Sequence, residues 1–446
     1  MPSKTQRLIN QFVAFSGDGK VQSEHNVPMD NAKLDTRDKC EITVEDVVAR
    51  RVLFDCDNRF ADDEVTDTRL KRFTFTYALV TAQILARWAG YFFGSITAPT
   101  GTPANEVQKL ARTGTVAGGT FTITFALEGR TGVTAAIPWN ATAAQIAAAL
   151  IKQPSTIGNL IKAGDVTVTG DWTSGMVITF VNRLKRADLP MLVINAASLT
   201  GDGPGISVVE LTAGDQNFHE FSNSTDDSKA EFSFALGFKT GNLATEKYYN
   251  AVCERFDPTI GRTGDVALTV SVLANYEAEQ IAGFPVPPCV NYKGIPNSDC
   301  RIQIGSDWKT LDIFQQSMTN NDAVPVDADT FGFDSLDPES HERGDQPQYA
   351  IAAQVFGAVN DPNDPLAVAV RAESNVAYTT HFGMPGNRFS LLAPNTRVKP
   401  QGNSRQFGGP RNRSVIALDG LPMRDNANAP VRAEASIDQA TAFLAT

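Results

Sequence analysis

Histidine and cysteine are scarce in this chain, and their spacing matches no familiar metal site. Among 446 residues there are 4 histidines and 5 cysteines, with no CxxC pair. The histidines are His25, His219, His341 and His381, and the cysteines are Cys40, Cys56, Cys253, Cys289 and Cys300. Neither His-Glu pair has the second histidine four residues on that zinc peptidases require. We therefore expect reduced thiols, no disulfide framework and no zinc site.

Catalytic and phosphate-binding motifs are lacking as well. The segment Ser16–Lys20 (SGDGK) does not have P-loop spacing, and Gly201–Gly205 (GDGPG) does not lie between a strand and a helix. No G-x-S-x-G elbow is present. We predict a protein that is not an enzyme, with no catalytic, cofactor-binding or metal-binding residues.

One acidic stretch, Asp322–Asp345, holds eight carboxylates and one base, Arg343. It begins like a calcium loop with Asp327 and Asp329, but Phe331 occupies the fifth position. We interpret it as a long solvated loop, whose length suggests a contact role.

Long apolar runs and an excess of positive charge are also missing. Unbroken apolar runs fall far short of the ~18 residues that a membrane helix needs, so no membrane span is expected. The first fifteen residues, MPSKTQRLINQFVAF, lack the apolar core of a signal peptide. The net charge of −11 makes the chain a poor wrapper of nucleic acid, although DNA can slide past such a surface.

The chain is rich in segments that alternate apolar and polar residues, which is typical of β-strands in sandwiches and barrels. The predicted strands are Phe73–Val80, Thr120–Leu127, Phe232–Phe238, Val266–Leu273, Tyr349–Phe356 and Arg388–Pro394.

Two helices are predicted, and each follows directly on an alternating strand. The first is Thr81–Gly94, with Thr81 as its cap; the second is Pro365–Ser374, with Asp364 as its cap. Because this strand–helix order occurs twice, we expect two copies of one module.

A block from Asn105 to Ala213 differs in composition from the rest. It carries eight basic and seven acidic side chains, so its net charge is +1 and the remainder carries −12. It has its own strands and an alanine-rich helix capped by Asn140 or Thr142, and loop-like flanks bracket it. We predict a first module at 1–104 and 214–262, an inserted domain at 105–213, and a second module at 263–446.

Parts of the inserted block resemble a module common in structural proteins of tailed phages. The matching segments are GGTFTITF, IPWNATAAQIAAAL and DVTVTG. The resemblance implies a small immunoglobulin-like or α+β decoration domain.

The rest of the chain resembles the major tail (tail tube) proteins of long non-contractile phage tails. The segments that carry the resemblance are RLKRFTFTYALVTAQILARWAGYFFGS, EFSFALGF, KYYNAVCERFDPTIGRTGDVALTVSVLANYE and RFSLLAPNTRVKPQGNSRQFGGPRNRSVIALDGLP. The implied fold is mainly β: two tail-tube-like β-barrel or β-sandwich modules, each with a flanking helix, plus the inserted domain.

The resemblance also implies a function and a set of partners. Subunits form rings, the rings stack into a tube, and genomic DNA is ejected through it without specific binding. Two modules per chain make a trimer the equivalent of a six-module ring. The implied partners are the tape-measure, terminator and distal-tail proteins, and the implied location is the virion, after assembly in the host cytoplasm.

Two alternatives stay open. One is a distal-tail, baseplate or tail-terminator ring with the same fold. The other is an adhesin that makes weak contact with the host surface through the inserted block, with Trp139 and Trp172 as sugar platforms. Otherwise we expect the block to lie outside the tube and to be dispensable for assembly.

Overall fold

Antiparallel β-structure dominates the fold. The computed structural model describes residues 11–23, 27–54, 61–96, 99–151, 156–223, 230–238, 244–261, 264–288, 293–305, 307–309, 313–321, 348–356, 365–406, 415–423 and 430–439. Of the described residues, 57% lie in strands and 12% in helices, and the described strands form antiparallel sheets without a closed barrel. The mainly-β prediction is confirmed, and the division into tail-tube-like modules stays a prediction.

The described strands run from the first to the last described segment, with three helices between them. In chain order the strands are β1 (Gln11–Phe15), β2 (Thr36–Asp38), β3 (Glu41–Phe54), β4 (Ala61–Tyr77), β5 (Gly94–Ile96), β6 (Val107–Leu127), β7 (Arg130–Val133), β8 (Ile137–Pro138), β9 (Val166–Asp171), β10 (Gly175–Phe180), β11 (Val193–Asn195), β12 (Leu199–Thr212), β13 (Asn217–Asn223), β14 (Phe232–Phe238), β15 (Thr245–Ile260), β16 (Ala267–Asn275), β17 (Glu279–Ile281), β18 (Arg301–Ile304), β19 (Asp307–Lys309), β20 (Ile313–Asn321), β21 (Gln348–Phe356), β22 (Asn375–Phe382), β23 (Arg388–Gln406), β24 (Val415–Pro422) and β25 (Arg432–Ile437). The helices are α1 (Ala82–Phe93), α2 (Ala143–Ile151) and α3 (Pro365–Ala372).

The strands divide into two sheets. Strands β6 to β12 form a seven-stranded sheet, and the other eighteen form the larger one. Each sheet covers its own cluster of buried apolar side chains. All seven strands of the smaller sheet, with α2, come from the block predicted at 105–213, which we call the inserted block.

All six of these predicted strands are present, but three of them, β4, β6 and β23, are much longer than expected. Strand β6 starts at Val107 rather than Thr120 and pairs with β12 along most of its length. Its first half carries Lys109 and Arg112, and Gly114 and Gly119 adopt positive φ angles of 65° and 90°. Because glycines and charged residues interrupt the alternation of apolar and polar residues there, the sequence does not predict this part of the strand, and its pairing with β12 accounts for the extension.

Helix α1 starts where the sequence predicted, at Thr81, whose Oγ1 accepts a hydrogen bond from the Ile84 amide at 3.2 Å. It is more deeply buried than an amphipathic helix lying on a sheet, since eleven of its twelve residues are buried. Trp88 packs edge-on against Phe15 and Tyr91, with ring centroids 5.1 and 5.7 Å apart. Burying a large apolar side chain contributes about 1.5–3 kcal/mol, so this cluster fixes α1 against the larger sheet.

Helix α2 begins with reciprocal hydrogen bonds. The Gln145 amide donates to Thr142 Oγ1 at 3.3 Å, and the Thr142 amide donates to Gln145 Oε1 at 2.8 Å. This is the capping-box arrangement, so of the two caps proposed from the sequence the structure uses Thr142 rather than Asn140. The Asp364 cap predicted for α3 lies outside the described residues.

Candidate functional site

The larger sheet contains one pairing order twice. The first strand set pairs in the order β3, β4, β16, β15, β14. The second strand set pairs in the order β20, β21, β24, β23, β22. In each set a helix follows the second strand of the hairpin, α1 after β4 and α3 after β21. The strand–helix order in the sequence therefore corresponds to a repeat of topology.

The repeat of topology does not test the domain boundaries, which stay a prediction. The boundary drawn from the sequence falls between residues 262 and 263. The strand that follows it, β16, pairs with β4 and β15 and so takes its place in the first strand set.

The two strand sets meet through the pairing of β15 with β20, which we call the internal joint. Arg255 lies opposite Asn321, Thr259 opposite Ser317 and Ile260 opposite Gln316. Strand β20 is the first strand of its set, so the first strand of one set is added to the β15 edge of the other.

Side chains reinforce the internal joint. Asn320 in β20 donates from Nδ2 to the Phe256 carbonyl at 2.7 Å, and its amide donates to Asp257 Oδ1 at 3.0 Å. Burial raises the pKa of Asp257. Asp257 also accepts a hydrogen bond from Arg255 within β15, but the two contacts with Asn320 are buried and form only when the strands pair in this register.

Each strand set keeps one edge without a partner strand among the described residues. Strand β3, the counterpart of β20, pairs only with β4 there. Strand β23, the counterpart of β15, pairs with β22 as far as Arg397, and beyond that residue it pairs only with β24. In β15 the corresponding stretch is the one that receives β20. The internal joint thus uses one β3-type edge and one β15-type edge, and one of each remains.

The first half of the β3 edge and the second half of the β23 edge carry opposite charges. The first half of β3 holds Glu41, Glu45 and Asp46, all exposed, together with Val44, which is 48% exposed. The second half of β23, from residue 397 to 406, contains three basic residues and no acidic one. The basic residues are Arg397, Lys399 and Arg405. Strand β3 was not identified from the sequence, although Glu41–Val47 (EITVEDV) alternates over its first residues.

The two described histidines are structural. His219 is buried in β13, its Nε2 lies 2.9 Å from the Gln439 carbonyl oxygen, and burial lowers its pKa. His381 in β22 lies 2.8 Å from Ser390 Oγ through Nδ1, and burial lowers its pKa to about 4. Its ring centroid is 4.8 Å from that of Trp308. His25 and His341 lie outside the described residues.

The described cysteines, Cys40, Cys253 and Cys300, are free thiols. Burial raises the pKa of Cys300 to about 12, which keeps this thiol protonated and unreactive. Cys56 and Cys289 lie outside the described residues, as does the acidic stretch Asp322–Asp345.

The tryptophans of the inserted block pack around an arginine. The Arg112 guanidinium lies 4.9 Å from the ring centroid of Trp139 and 4.7 Å from that of Trp172. Trp172 Nε1 donates to the Ala141 carbonyl at 2.8 Å. These cation–π contacts and this hydrogen bond engage both rings within the block, which weakens their interpretation as sugar platforms.

One group of carboxylates was not singled out from the sequence. Oxygens of Glu106, Asp188 and Glu210 lie within 4.8 Å of one another, close enough to hold a cation. Glu106 is buried, which raises its pKa, and its oxygens already accept hydrogen bonds from Gln108 Nε2 at 3.0 Å and the Gly214 amide at 2.8 Å. The cluster is thereby accounted for as part of the packing between β6 and the end of β12.

No known protein family matches the chain, and no curated protein is significantly similar to it. Within the described part of the chain, no helix is both long and apolar enough to cross a membrane.

Proposed function

We propose that the protein is a structural virion protein that forms stacked rings of a long non-contractile phage tail tube, through which genomic DNA is ejected. The observation that carries this proposal is the internal joint. This contact joins a β3-type edge to a β15-type edge within one chain, and the two edges left over are of the same two kinds, which supports the same contact between neighbouring copies.

In the proposed ring, β3 of one copy pairs with the second half of β23 of the next copy. The two strand sets can be aligned on the residue pair that lies nearest the helix in each, which is Tyr77–Leu268 in the first set and Phe356–Val415 in the second. In this alignment Val44 of β3 corresponds to Ser317 of β20. Residues 43–48 of β3 therefore correspond to the part of β20 that forms the internal joint. Pro400 has no N–H to donate, so we expect the intermolecular hydrogen bonds beyond it, between residues 401 and 406.

This contact joins two different surfaces, so it is heterologous, and repeating it produces either a closed ring or an open filament. Three chains contribute six strand sets, and all six joints are then of one kind: three within chains and three between them. Closure leaves no β3-type edge exposed, which removes the hazard that an unpaired edge presents. A trimer is accordingly the proposed ring.

The charge of the chain suits a DNA conduit. With −11 overall and −12 outside the inserted block, its carboxylates repel phosphates, so duplex DNA can pass without being held. The tape-measure, terminator and distal-tail proteins are the proposed partners in the assembled tail.

A cross-linking experiment tests the proposed joint. Cysteines are placed on both edges (Val44→Cys and Gln406→Cys) in a background with Cys56→Ser and Cys289→Ser, and a short bismaleimide is added. We expect covalent species of two and three chains and none larger. The control replaces Val44→Cys by Val209→Cys, which puts the thiol on an equally exposed valine of the inserted block. Cross-linking that is equal in the two proteins would contradict the joint, and a ladder that continues beyond three chains would contradict the trimer.

The same edges would serve a distal-tail or terminator ring, and the number of rings per particle separates these functions. Many copies along the tail length support a tube, whereas a single ring at one end supports the alternative.

A further inference from the structure

We infer that the inserted block is a clamp that holds the second strand set in place, and that it does so by gripping the turn between β22 and β23. The block departs from the chain between β5 and β13, and β13 pairs with β25, which in turn pairs with β23 of the second strand set. Its contacts described below are with residues between 299 and 438, and the most deeply buried of them are with the turn between β22 and β23.

The loop-like segments that bracket the block are paired with each other and form a stalk. Thr100 and Phe218 exchange backbone hydrogen bonds of 3.1 and 2.9 Å, and Ala104 and Asp215 exchange two of 2.9 Å. Gly101 has a φ of +112°, and a Cβ there would lie 2.1 Å from the Gln216 carbonyl oxygen. A stalk this tight restricts the directions in which the block can swing.

The turn between β22 and β23 inserts into the core of the block. Met384 is 5% exposed and packs in the apolar cluster that β6, β10 and α2 form. The Gly386 amide donates to the Arg183 carbonyl at 2.9 Å, and a Cβ on Gly386 would lie 2.6 Å from the Lys185 nitrogen. The inserted block therefore completes its core with a side chain from the second strand set.

Ion pairs surround this insertion. Arg183 of the block binds its own Asp165 and also reaches Asp299 at 3.3 Å. Glu128 of the block pairs with Arg388, the first residue of β23; the two side chains are 4% and 16% exposed. Charges buried to this extent are costly when a partner is lost, so these pairs fix the geometry.

A further contact is made by Lys185 and Arg186 with Asp438. The Asp438 side chain is 60% exposed, so solvent and salt screen this contact and it adds little.

The clamp holds the start of β23, and the far end of the same strand is the edge without a partner strand among the described residues. Arg388 starts β23 at the gripped turn, and the stretch beyond Arg397 is the edge proposed to receive the next copy. The effect of the clamp on the edge that receives the next copy rests on the proposed function, whereas the clamp itself does not. If the clamp positions this edge, the inserted block is needed for assembly, contrary to the expectation from the sequence that it is dispensable for assembly.

Amide hydrogen exchange on the single chain, isolated by size exclusion, tests the clamp. The variant Met384→Ala/Asp299→Asn removes the methionine side chain from the core of the block and breaks the Arg183–Asp299 ion pair, but it keeps the Arg183–Asp165 pair. The control, Met191→Ala/Asp202→Asn, changes the same residue types at exposed positions of the block. We expect amides of β22 and β23 to exchange at least about tenfold faster in the first variant and at the original rate in the control.

Two results would overturn the clamp. One is unchanged exchange in β22 and β23. The other is faster exchange confined to β9 and β10, which would make Met384 a core residue of the block and nothing more. Because the measurement uses unassembled chains, failure of the proposed ring would leave its outcome unaffected.

Discussion

The guanidinium of Arg87 in α1 is hydrogen-bonded to the carboxylate of Asp38 in β2, and both side chains are almost fully buried, at 3% and 1% exposure. Tyr77 donates to the same carboxylate at 2.6 Å, and Trp88 Nε1 donates to the Tyr77 hydroxyl at 3.0 Å. Burial raises the pKa of Tyr77 well above its usual value, so this hydroxyl stays protonated. These hydrogen bonds thus join α1, β2 and β4 through one polar network inside an apolar core.

Replacing Asp38 by Asn tests this network. The change leaves the Arg87 charge buried without its counter-ion, and removing one partner of a buried pair costs about 3–5 kcal/mol. Tyr77→Phe removes only a neutral hydroxyl and should cost about 1–3 kcal/mol. Urea denaturation of both variants measures the two free energies of unfolding. If Asp38→Asn lowers the free energy of unfolding by no more than Tyr77→Phe does, the Arg87–Asp38 ion pair does not stabilise the network as proposed.

The stability should fall on acidification because of His381. Its pKa is about 4 in the folded protein and about 6.5 when unfolded, so the unfolded chain binds the extra proton between these values. The stabilisation is complete above pH ~6.5 and is lost as the pH falls towards ~4, by about 3 kcal/mol in total. His381→Gln should remove that part of the pH dependence. Parallel slopes for both proteins between pH 6.5 and 4, in denaturant titrations, would refute this assignment.

Assembly should be blocked by a single charge on the β3 edge. Val44→Lys places a cation where the neighbouring strand must approach, and lysine on an edge strand opposes pairing. We expect the variant to remain a single chain in sedimentation velocity, with an unchanged circular dichroism spectrum. Val209→Lys, at a valine that is 50% exposed on the inserted block, should assemble normally. If both variants assemble equally well, β3 is not the contact.

The opposite charges of the two edges should be exchangeable. Glu45→Lys alone and Arg405→Glu alone should each weaken assembly by about 0.2–1 kcal/mol per joint, because the antiparallel register that places Val44 beside Gln406 places Glu45 beside Arg405. The double variant should recover most of the loss. Concentration-dependent sedimentation at low and high salt gives the values. A double variant that assembles less well than either single one would place these residues apart.

The regular parts of the fold were predictable because local pattern determines them. Phe73–Tyr77 alternates and Thr81 is a strong N-cap, so β4 and the start of α1 followed from the sequence. Strand β3 was missed because its second half, beginning at Val47 (VVARRVLF), does not alternate.

The candidate site was not predictable in the same way. The internal joint pairs β15 with β20 across the intervening strands, and nothing in the residues around Thr259 or Ser317 specifies that partner. Met384 lies in a short turn (GMPGN), where a single methionine gives no signal that it enters the core of another unit. Such contacts depend on which surfaces the fold brings together.

A three-dimensional reconstruction of the assembled particle by electron cryomicroscopy tests the central claim most directly. We expect rings of three chains with pseudo-sixfold symmetry, in which β3 of each copy lies beside residues 401–406 of its neighbour. Rings of six whole chains, or a particle in which the β3 edge faces solvent, would contradict it.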